Sequence, residues 1–238
     1  MKGELKGLGE RILEVVRVLV HQGLIKGFGH VSARLVGSDR FLITGHIHDG
    51  DRTMEEMTTQ DLVVVNFNGE KVEGKLAPPE ERFIHSCIYK ARPDIGGAIH
   101  SHPLYSTALS IAGKHVLPVF MSGMVFAPQV PIVDDANLVD NEERGQEVAR
   151  ASGRGYAVVL RAHGLVTAGK SPEDAAAVAL NLEDTAKTQI LASCAGEPRA
   201  LTVGEMDRSF VESAFAGHAL TSIWSYYLGQ ARKAAKHK

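Results

Sequence analysis

The chain has 238 residues, of which 44% are hydrophobic and 23% are charged, and its formal net charge is -2. This composition is typical of a globular protein that can bury a sizeable core, and the near-neutral charge argues against a nucleic-acid partner. The sequence has no run of about 18 apolar residues for a membrane span, and the N-terminal "MKGELKGLGERILEVV" lacks the layout of a secretory signal. Only two cysteines are present, Cys87 and Cys194, and both are expected to be unpaired thiols on apolar helix faces. We therefore expect a cytoplasmic protein that does not bind membranes.

The first third of the chain predicts one helix followed by short strands. Residues 4–24 carry apolar side chains at helical spacing. The strand-like pieces "VSARLV" and "RFLIT" follow, and then a polar, histidine-bearing loop, "GHIHDGDRTMEEMTTQ". The segment "DLVVVNFNGEKVEG" predicts a hairpin, because Asn68-Gly69 supplies a turn with positive φ.

The rest of the chain predicts helices that alternate with short strands. A helix is expected from Pro78 to about Arg92, followed by a buried strand in "IGGAIHSHP". Residues 115–133 read as irregular, with short strands, and residues 137–153 as a polar helix. Two strands around a turn are expected in "GYAVVLRAHGLVTAG". A well-capped helix follows Ser171, and a last helix runs from about 205 to the end.

These elements predict the fold class. Helices flank a central block of short, β-branched strands, and no linker divides the chain. We expect a single α/β domain over residues 1–238, with a C-terminal helical extension from about 205. That extension carries Trp224, Tyr226 and Tyr227, which either pack on the domain or close a neighbouring subunit's site.

Two histidines in "IGGAIHSHP" predict a metal site. If this segment is a strand, its period of two places His100 and His102 on the same face, where two imidazoles can hold a divalent cation. The alternative is a pair of hydrogen-bonded structural histidines. In "RAHGLVTAG", His163 is placed to arrive from a turn as a third ligand, although a lone histidine is often structural.

A carboxylate near the start of the predicted 78–92 helix strengthens the metal hypothesis. Continued helical periodicity places Glu80 near the middle of the apolar stripe and Glu81 at its edge. A carboxylate that points inward costs several kcal/mol unless it finds a cation or becomes protonated. Glu80 is therefore predicted to bind metal or to act in catalysis, unless the helix frays and exposes it.

Four ordered motifs resemble those of the class II aldolase/adducin family: K-L-x-x-x-E-x-R-F at Lys75 to Phe83, R-P-D at Arg92 to Asp94, the His100/His102 pair and His163-Gly164. The resemblance implies a central, mostly antiparallel sheet flanked by helices and a homotetramer. It also implies one divalent metal ion per chain (Zn²⁺ or Mn²⁺, with Fe²⁺ a further candidate), held by His100, His102 and His163. Glu80 would be the acid/base and an additional ligand. The adducin branch keeps the fold without chemistry, so a non-catalytic scaffold is an alternative.

The sequence departs from the sugar-phosphate aldolases of that family. Those enzymes hold phosphate with a Gly-Asn turn, a Thr-Gly pair and two serines before the glutamate. Here the corresponding pieces are Gly29-His30, Thr44-Gly45 and Pro78-Pro79. Proline offers neither a hydroxyl nor a backbone N–H, so a phosphate would be poorly bound. Residues 117–126 also lack the tyrosine that acts as an acid in those aldolases.

The segments "FGHVSAR" and "ERFIH" through "GGAIHSHP" look most like metal-dependent decarboxylases of hydroxylated pyridine or phthalate dicarboxylates. The first hypothesis is therefore a carbon–carbon lyase that decarboxylates a small hydroxylated aromatic or heteroaromatic carboxylate. An aldolase or dehydratase acting on a hydroxy-carbonyl or sugar-phosphate substrate is the alternative. The expected substrate-binding residues are Gly29, His30, Thr44, Gly45 and His46, with Arg34, Arg161 or His48 as further candidates.

Overall fold

The computed structural model describes residues 3–47, 52–202, 204–205 and 218–236. The helices are α1 (Gly3–His21), α2 (Arg82–Ala91), α3 (Leu104–Ile111), α4 (Glu142–Ser152), α5 (Pro172–Ala195) and α6 (His218–Ala235). The strands are β1 (His30–Arg34), β2 (Arg40–Thr44), β3 (Leu62–Asn66), β4 (Lys71–Glu73), β5 (Gly97–Ser101), β6 (Ile132–Val133), β7 (Ala157–Leu160) and β8 (Gly164–Gly169).

All eight strands form one sheet in the order β4-β3-β2-β1-β5-β8-β7-β6. Every pairing is antiparallel except β6 with β7. The predicted α/β fold with a mostly antiparallel sheet is thus confirmed. Strand β5 lies between β1 and β8, and its His100 stands opposite His30 on β1 and Val166 on β8. This register brings the histidine motif to the middle of the sheet.

The two faces of the sheet carry separate hydrophobic cores. Alternate residues of β3 show the division, since Val64 packs with α1 and α5 whereas Val63 and Val65 pack with α2 and α4. Side chains one position apart on a strand point to opposite faces, which produces this alternation. The inward stripe of α2 that the sequence predicted, including Ile84 and Ile88, lies in the second core.

Several boundaries differ from the sequence predictions. Helix α2 begins at Arg82, four residues after Pro78, because residues 79–82 form a turn in which the Arg82 N–H donates to the Pro79 carbonyl at 3.2 Å. Helix α3 was not predicted, and the 115–133 segment contains a 3-10 helix at Met121–Phe126. Both cysteines are unpaired, as expected, but Cys194 is exposed and does not lie on an apolar face.

The described part of the last helix packs on the domain. Trp224 and Tyr227 of α6 contact the first core, while Tyr226 is 61% exposed. Residues 206–217 of the predicted extension lie outside the described residues. Within the described part of the chain, no helix is long and apolar enough to cross a membrane.

Candidate metal centre and active site

Three histidines and one glutamate meet where β5 ends. His100 is on β5 and His102 follows it. The period of two predicted that their side chains share a face, and their Nε2 atoms are 2.9 Å apart. His163 comes from the turn between β7 and β8, and Glu81 from the turn before α2. One ligand atom from each of the four residues lies within 4.8 Å of the others.

The approach of His163 depends on the glycine that follows it. A Cβ at Gly164 would lie 2.5 Å from the Ser101 carbonyl oxygen and 2.6 Å from the His102 ring. These distances are shorter than contacts that carbon atoms tolerate, so only glycine lets β8 begin this close to β5. The preceding Ala162 has a φ of 57°, a left-handed conformation that turns the chain back toward the sheet.

The carboxylate in the cluster belongs to Glu81. Its Oε2 is 3.3 Å from His100 Nε2 and its Oε1 is 3.5 Å from His163 Nε2. Glu81 is 7% exposed, whereas Glu80 is exposed. The expectation that Glu80 points inward is therefore wrong, because it continued the helical periodicity of α2 into the turn that precedes it.

A backbone hydrogen bond fixes the Glu81 carboxylate. The Val139 N–H donates to Oε1 at 3.0 Å, from the loop before α4. Burial would raise the pKa of Glu81, but contacts with His100, His163 and His30 outweigh it and hold that pKa far below its ordinary range. Glu81 is therefore ionised at neutral pH.

His100 and His102 are neutral at neutral pH. Burial lowers the pKa of His100 and of His102 to about 4. Neutral imidazoles and an ionised carboxylate are the protonation states that metal binding requires. Donor atoms about 2.0–2.2 Å from a tetrahedral ion lie roughly 3.4 Å from one another, and the contacts of 2.9, 3.3 and 3.5 Å bracket this spacing. The four residues therefore fit a divalent cation.

A cavity of about 620 Å³ opens beside the cluster. Its walls are largely apolar, with Ile25, Phe28, Ile47, Met54 and Leu138 among them, and two cationic side chains, Lys26 and Arg52, also face it. Arg52 is paired with Asp61 at 2.7 Å, but Lys26 forms no ion pair with any described residue. The volume suits a small organic ligand.

Most of the predicted substrate-binding residues line this cavity: Gly29, His30, Gly45 and His46. Thr44 is instead buried, and its Oγ1 accepts the Val31 N–H at 3.3 Å, so its place is in the sheet.

Neither arginine suggested by the sequence lines the cavity. Arg34 donates to the carbonyl oxygens of Tyr89, Arg92 and Ile95, and Arg161 pairs with Asp134 at the surface. His48 lies outside the described residues.

Lys26 and Arg52 are the cavity cations that sequence reasoning missed. Both lie in loops, where no periodicity reports the direction of a side chain. The available signal was their position next to predicted site segments, since Lys26 precedes "GFGH" and Arg52 lies in the histidine-bearing loop.

A buried polar chain continues behind the cluster. His30 Nδ1 is 2.7 Å from His85 Nε2, and His85 Nδ1 is 2.6 Å from Ser32 Oγ. Ser32 Oγ is in turn 2.7 Å from the Tyr89 hydroxyl. At the other end, His30 Nε2 is 3.8 Å from Glu81 Oε2. His85 was not singled out from the sequence, because its contact with His30 joins residues 55 positions apart.

Comparison with known proteins identifies the family of the chain. Residues 10–190 match the family described as Class II Aldolase and Adducin N-terminal domain. The chain belongs to the class II aldolase/adducin family. It is 29% identical over 201 residues to a 3,4-dihydroxyphthalate decarboxylase from Arthrobacter keyseri, an alignment that covers 80% of each chain. It is also 29% identical over 187 residues to the L-fuculose phosphate aldolase of Escherichia coli K12, covering 78% of this chain and 82% of that protein.

A solved structure of the family has the same fold. The L-fuculose 1-phosphate aldolase from Glaciozyma antarctica PI12 superposes with a TM-score of 0.80 at 26% identity, over 99% of this chain and 92% of that one. Decarboxylases and aldolases are both lyases. The chain is therefore a class II aldolase-like lyase that acts on a small molecule, with a histidine–glutamate cluster suited to a divalent metal ion.

Proposed function

We propose that this lyase is a metal-dependent decarboxylase of small hydroxylated aromatic or heteroaromatic dicarboxylates. The observation that carries the proposal is the cavity beside the cluster, which combines apolar walls with cationic side chains. Apolar walls suit a flat ring, and the cations suit carboxylates on that ring. The relative from Arthrobacter keyseri acts, by its name, on a dihydroxylated phthalate.

The residues before Glu81 argue against a sugar phosphate. With Glu81 as the cluster's carboxylate, Pro79 and Glu80 precede it, and both line the cavity. Neither side chain has a hydroxyl group to donate to a phosphate, and Pro79 also has no N–H. The shift by one residue from the sequence assignment thus leaves the case for a substrate without phosphate in place.

His100, His102 and His163 would hold the metal ion, and Glu81 can complete the ligand set. A divalent cation bound there would polarise substrate oxygens and stabilise the negative charge left when CO₂ departs. Three imidazoles and a carboxylate suit Zn²⁺ and Mn²⁺, and Fe²⁺ accepts the same donors.

Glu81 has the position and the charge for proton transfer. As an ionised carboxylate it takes the proton of a ring hydroxyl. When the C–C bond breaks and its electron pair stays on the ring carbon, Glu81 returns that proton to the carbon. Solvent then restores the hydroxyl proton, so the net reaction consumes one proton and releases CO₂.

The second carboxylate of the substrate would bind away from Glu81. Lys26 is the cavity cation without an ion-pair partner among the described residues, and His46 lines the same cavity. Phe28 also lines the cavity, is 75% exposed and has its ring centre 6.2 Å from that of His102. With one carboxylate at the cluster, a substrate ring packed against Phe28 would have Lys26 and His46 as candidate partners for its second carboxylate. The homotetramer implied by the resemblance stays a prediction.

The test is CO₂ release from 3,4-dihydroxyphthalate by the protein reloaded with Zn²⁺ or Mn²⁺, with L-fuculose 1-phosphate in parallel. We expect CO₂ release and no cleavage of the sugar phosphate. Efficient cleavage of the sugar phosphate alone would replace this proposal with the aldolase alternative. No turnover of either, in a protein that binds no metal, would favour the adducin-like scaffold.

A further inference from the structure

We infer that the buried chain Tyr89–Ser32–His85 is a positioning device that fixes His30 with its proton on Nε2, directed at Glu81. Neither the family match nor the relatives' names assign a role to this chain. The inference deepens the proposed function, since it rests on Glu81 as the reactive carboxylate.

The geometry defines one continuous path of hydrogen bonds. Three successive contacts of 2.7, 2.6 and 2.7 Å join His30, His85, Ser32 and Tyr89. All four residues are buried, with exposures of 6% for His30 and 0–1% for the others. Distances this short inside a dry core require that each link has one donor and one acceptor.

The protons can be ordered in only two directions along the two imidazoles. In the first, Ser32 donates to His85 Nδ1 and His85 Nε2–H donates to His30 Nδ1, which leaves the proton of His30 on Nε2. In the second, every bond is reversed, and His30 Nε2 presents a lone pair. A neutral imidazole holds one proton, so one bond fixes the state of the next.

Glu81 selects the first direction. Its Oε1 already accepts the Val139 N–H, and its Oε2 faces His30 Nε2 at 3.8 Å. A lone pair on that nitrogen would oppose the carboxylate oxygen, whereas an N–H is attracted to it. The Ser32 hydroxyl has two acceptors within reach, the Ala98 carbonyl oxygen at 3.3 Å and His85 Nδ1 at 2.6 Å. The shorter contact favours donation to His85, and Tyr89 can then donate to Ser32 Oγ.

Aromatic packing keeps the chain rigid and dry. The Phe41 ring stacks on His85 with an interplanar angle of 18°, and it also contacts the Tyr89 ring at 5.3 Å. The Arg34 guanidinium covers Tyr89 at 4.9 Å from its ring centre. No rotation of His85 is therefore available that keeps its two hydrogen bonds. Tyr89, Ser32 and His85 act only through His30, so they are positioning residues.

The first test reads the tautomer directly, without turnover. Two-bond ¹H–¹⁵N correlation spectra would be recorded on the Zn²⁺-loaded protein with ¹⁵N-labelled histidine rings, and His30 assigned from the signals lost in His30→Asn. We expect the wild-type His30 proton on Nε2. A proton on Nδ1 would overturn the inference whether or not any substrate is turned over.

The second test uses a matched pair of variants. In His85→Gln the side-chain amide can still donate to His30 Nδ1, whereas His85→Leu has no donor. With 3,4-dihydroxyphthalate we expect His85→Leu to lower kcat by about 10- to 100-fold with KM and metal content unchanged, and His85→Gln to recover most of the loss. Equal losses in both variants would contradict the positioning role.

If His85→Leu does not fold, Ser32→Ala removes the donor to His85 at little cost in volume. We expect a mixture of His30 tautomers in its spectrum, and an unchanged spectrum would overturn the inference. Tyr105→Phe is the control, because Tyr105 is not part of the hydrogen-bonded path from Tyr89 to His30. It should change neither the His30 spectrum nor kcat.

Discussion

Exchange of the two neighbouring carboxylates for amides separates their roles most sharply. In Glu81→Gln, the side chain keeps its volume, and its amide oxygen can still accept the Val139 N–H that Glu81 now accepts at 3.0 Å. The fold should therefore survive, with a change in the free energy of unfolding of about 1 kcal/mol or less.

The catalytic loss in Glu81→Gln should be large. An amide cannot take a proton from a substrate hydroxyl and return it to carbon. General acid–base groups contribute about 10²- to 10⁴-fold to rate, so kcat should fall by that factor, or about 3–5 kcal/mol in activation free energy. The assay is the rate of CO₂ release from 3,4-dihydroxyphthalate at saturating substrate and metal.

Glu80→Gln is the matched control, because Glu80 is exposed and lies outside the metal cluster. We expect its kcat to stay within about twofold of wild type, because Glu80 lines the cavity but does not belong to the cluster that carries out proton transfer. A large loss in Glu80→Gln, with wild-type kcat in Glu81→Gln, would refute the assignment of the carboxylate from the structure.

Three further predictions concern the approach to the site, its specificity and the pH dependence of stability. Gly164→Ala places a Cβ 2.5 Å from a carbonyl oxygen and should weaken metal binding by about tenfold or more in metal titrations; Gly229→Ala, with nothing within 4 Å, should leave metal binding unchanged. Lys26→Met should raise KM for a dicarboxylate by about tenfold with kcat unchanged, because Lys26 is proposed to bind the second carboxylate. An equal rise in KM for a monocarboxylate analogue would contradict that role. The Arg11–Glu173 pair holds the pKa of Glu173 below its ordinary value against the opposing effect of burial. The contribution of this ion pair to the free energy of unfolding is present above the unfolded pKa of Glu173, about 4.3, and is lost as pH falls through its folded pKa. Urea unfolding at pH 7 should therefore show Arg11→Met to be less stable than wild type by about 0.5 kcal/mol. That difference should vanish in strong acid.

The fold was largely predictable because its elements carry regular patterns. The period of two in β5 correctly placed His100 and His102 on one side, and the turn residues of the β3–β4 hairpin and the cap at Ser171 marked real boundaries. The α/β class follows from these local signals. The strand order does not, because it depends on contacts between residues far apart in sequence.

The carboxylate was misassigned by one residue for a physical reason. Periodicity of 100° per residue holds only inside a helix, and α2 begins after Glu81. The two prolines at 78 and 79 were the available warning, since proline at a helix start commonly marks a boundary.

The electrostatic surroundings of the site were less predictable than its ligands. The sequence suggests Arg34 as a partner for a substrate carboxylate, yet its guanidinium donates to three backbone carbonyls. The pairing of His30 with His85 joins residues 55 positions apart. No local pattern records such a contact, because it arises only when β1 packs against α2.

Metal content per chain tests the central claim most directly. Elemental mass spectrometry would be applied to the wild-type protein and to His102→Ala after reloading with Zn²⁺ or Mn²⁺ and removal of excess ion, with the exposed His21→Ala as control. The geometry of the cluster predicts close to one ion per chain in the wild type and in His21→Ala, and a loss in His102→Ala. Wild-type protein that retains no ion, or His102→Ala that retains a full complement, would contradict a metal centre at these histidines and the lyase chemistry proposed for it.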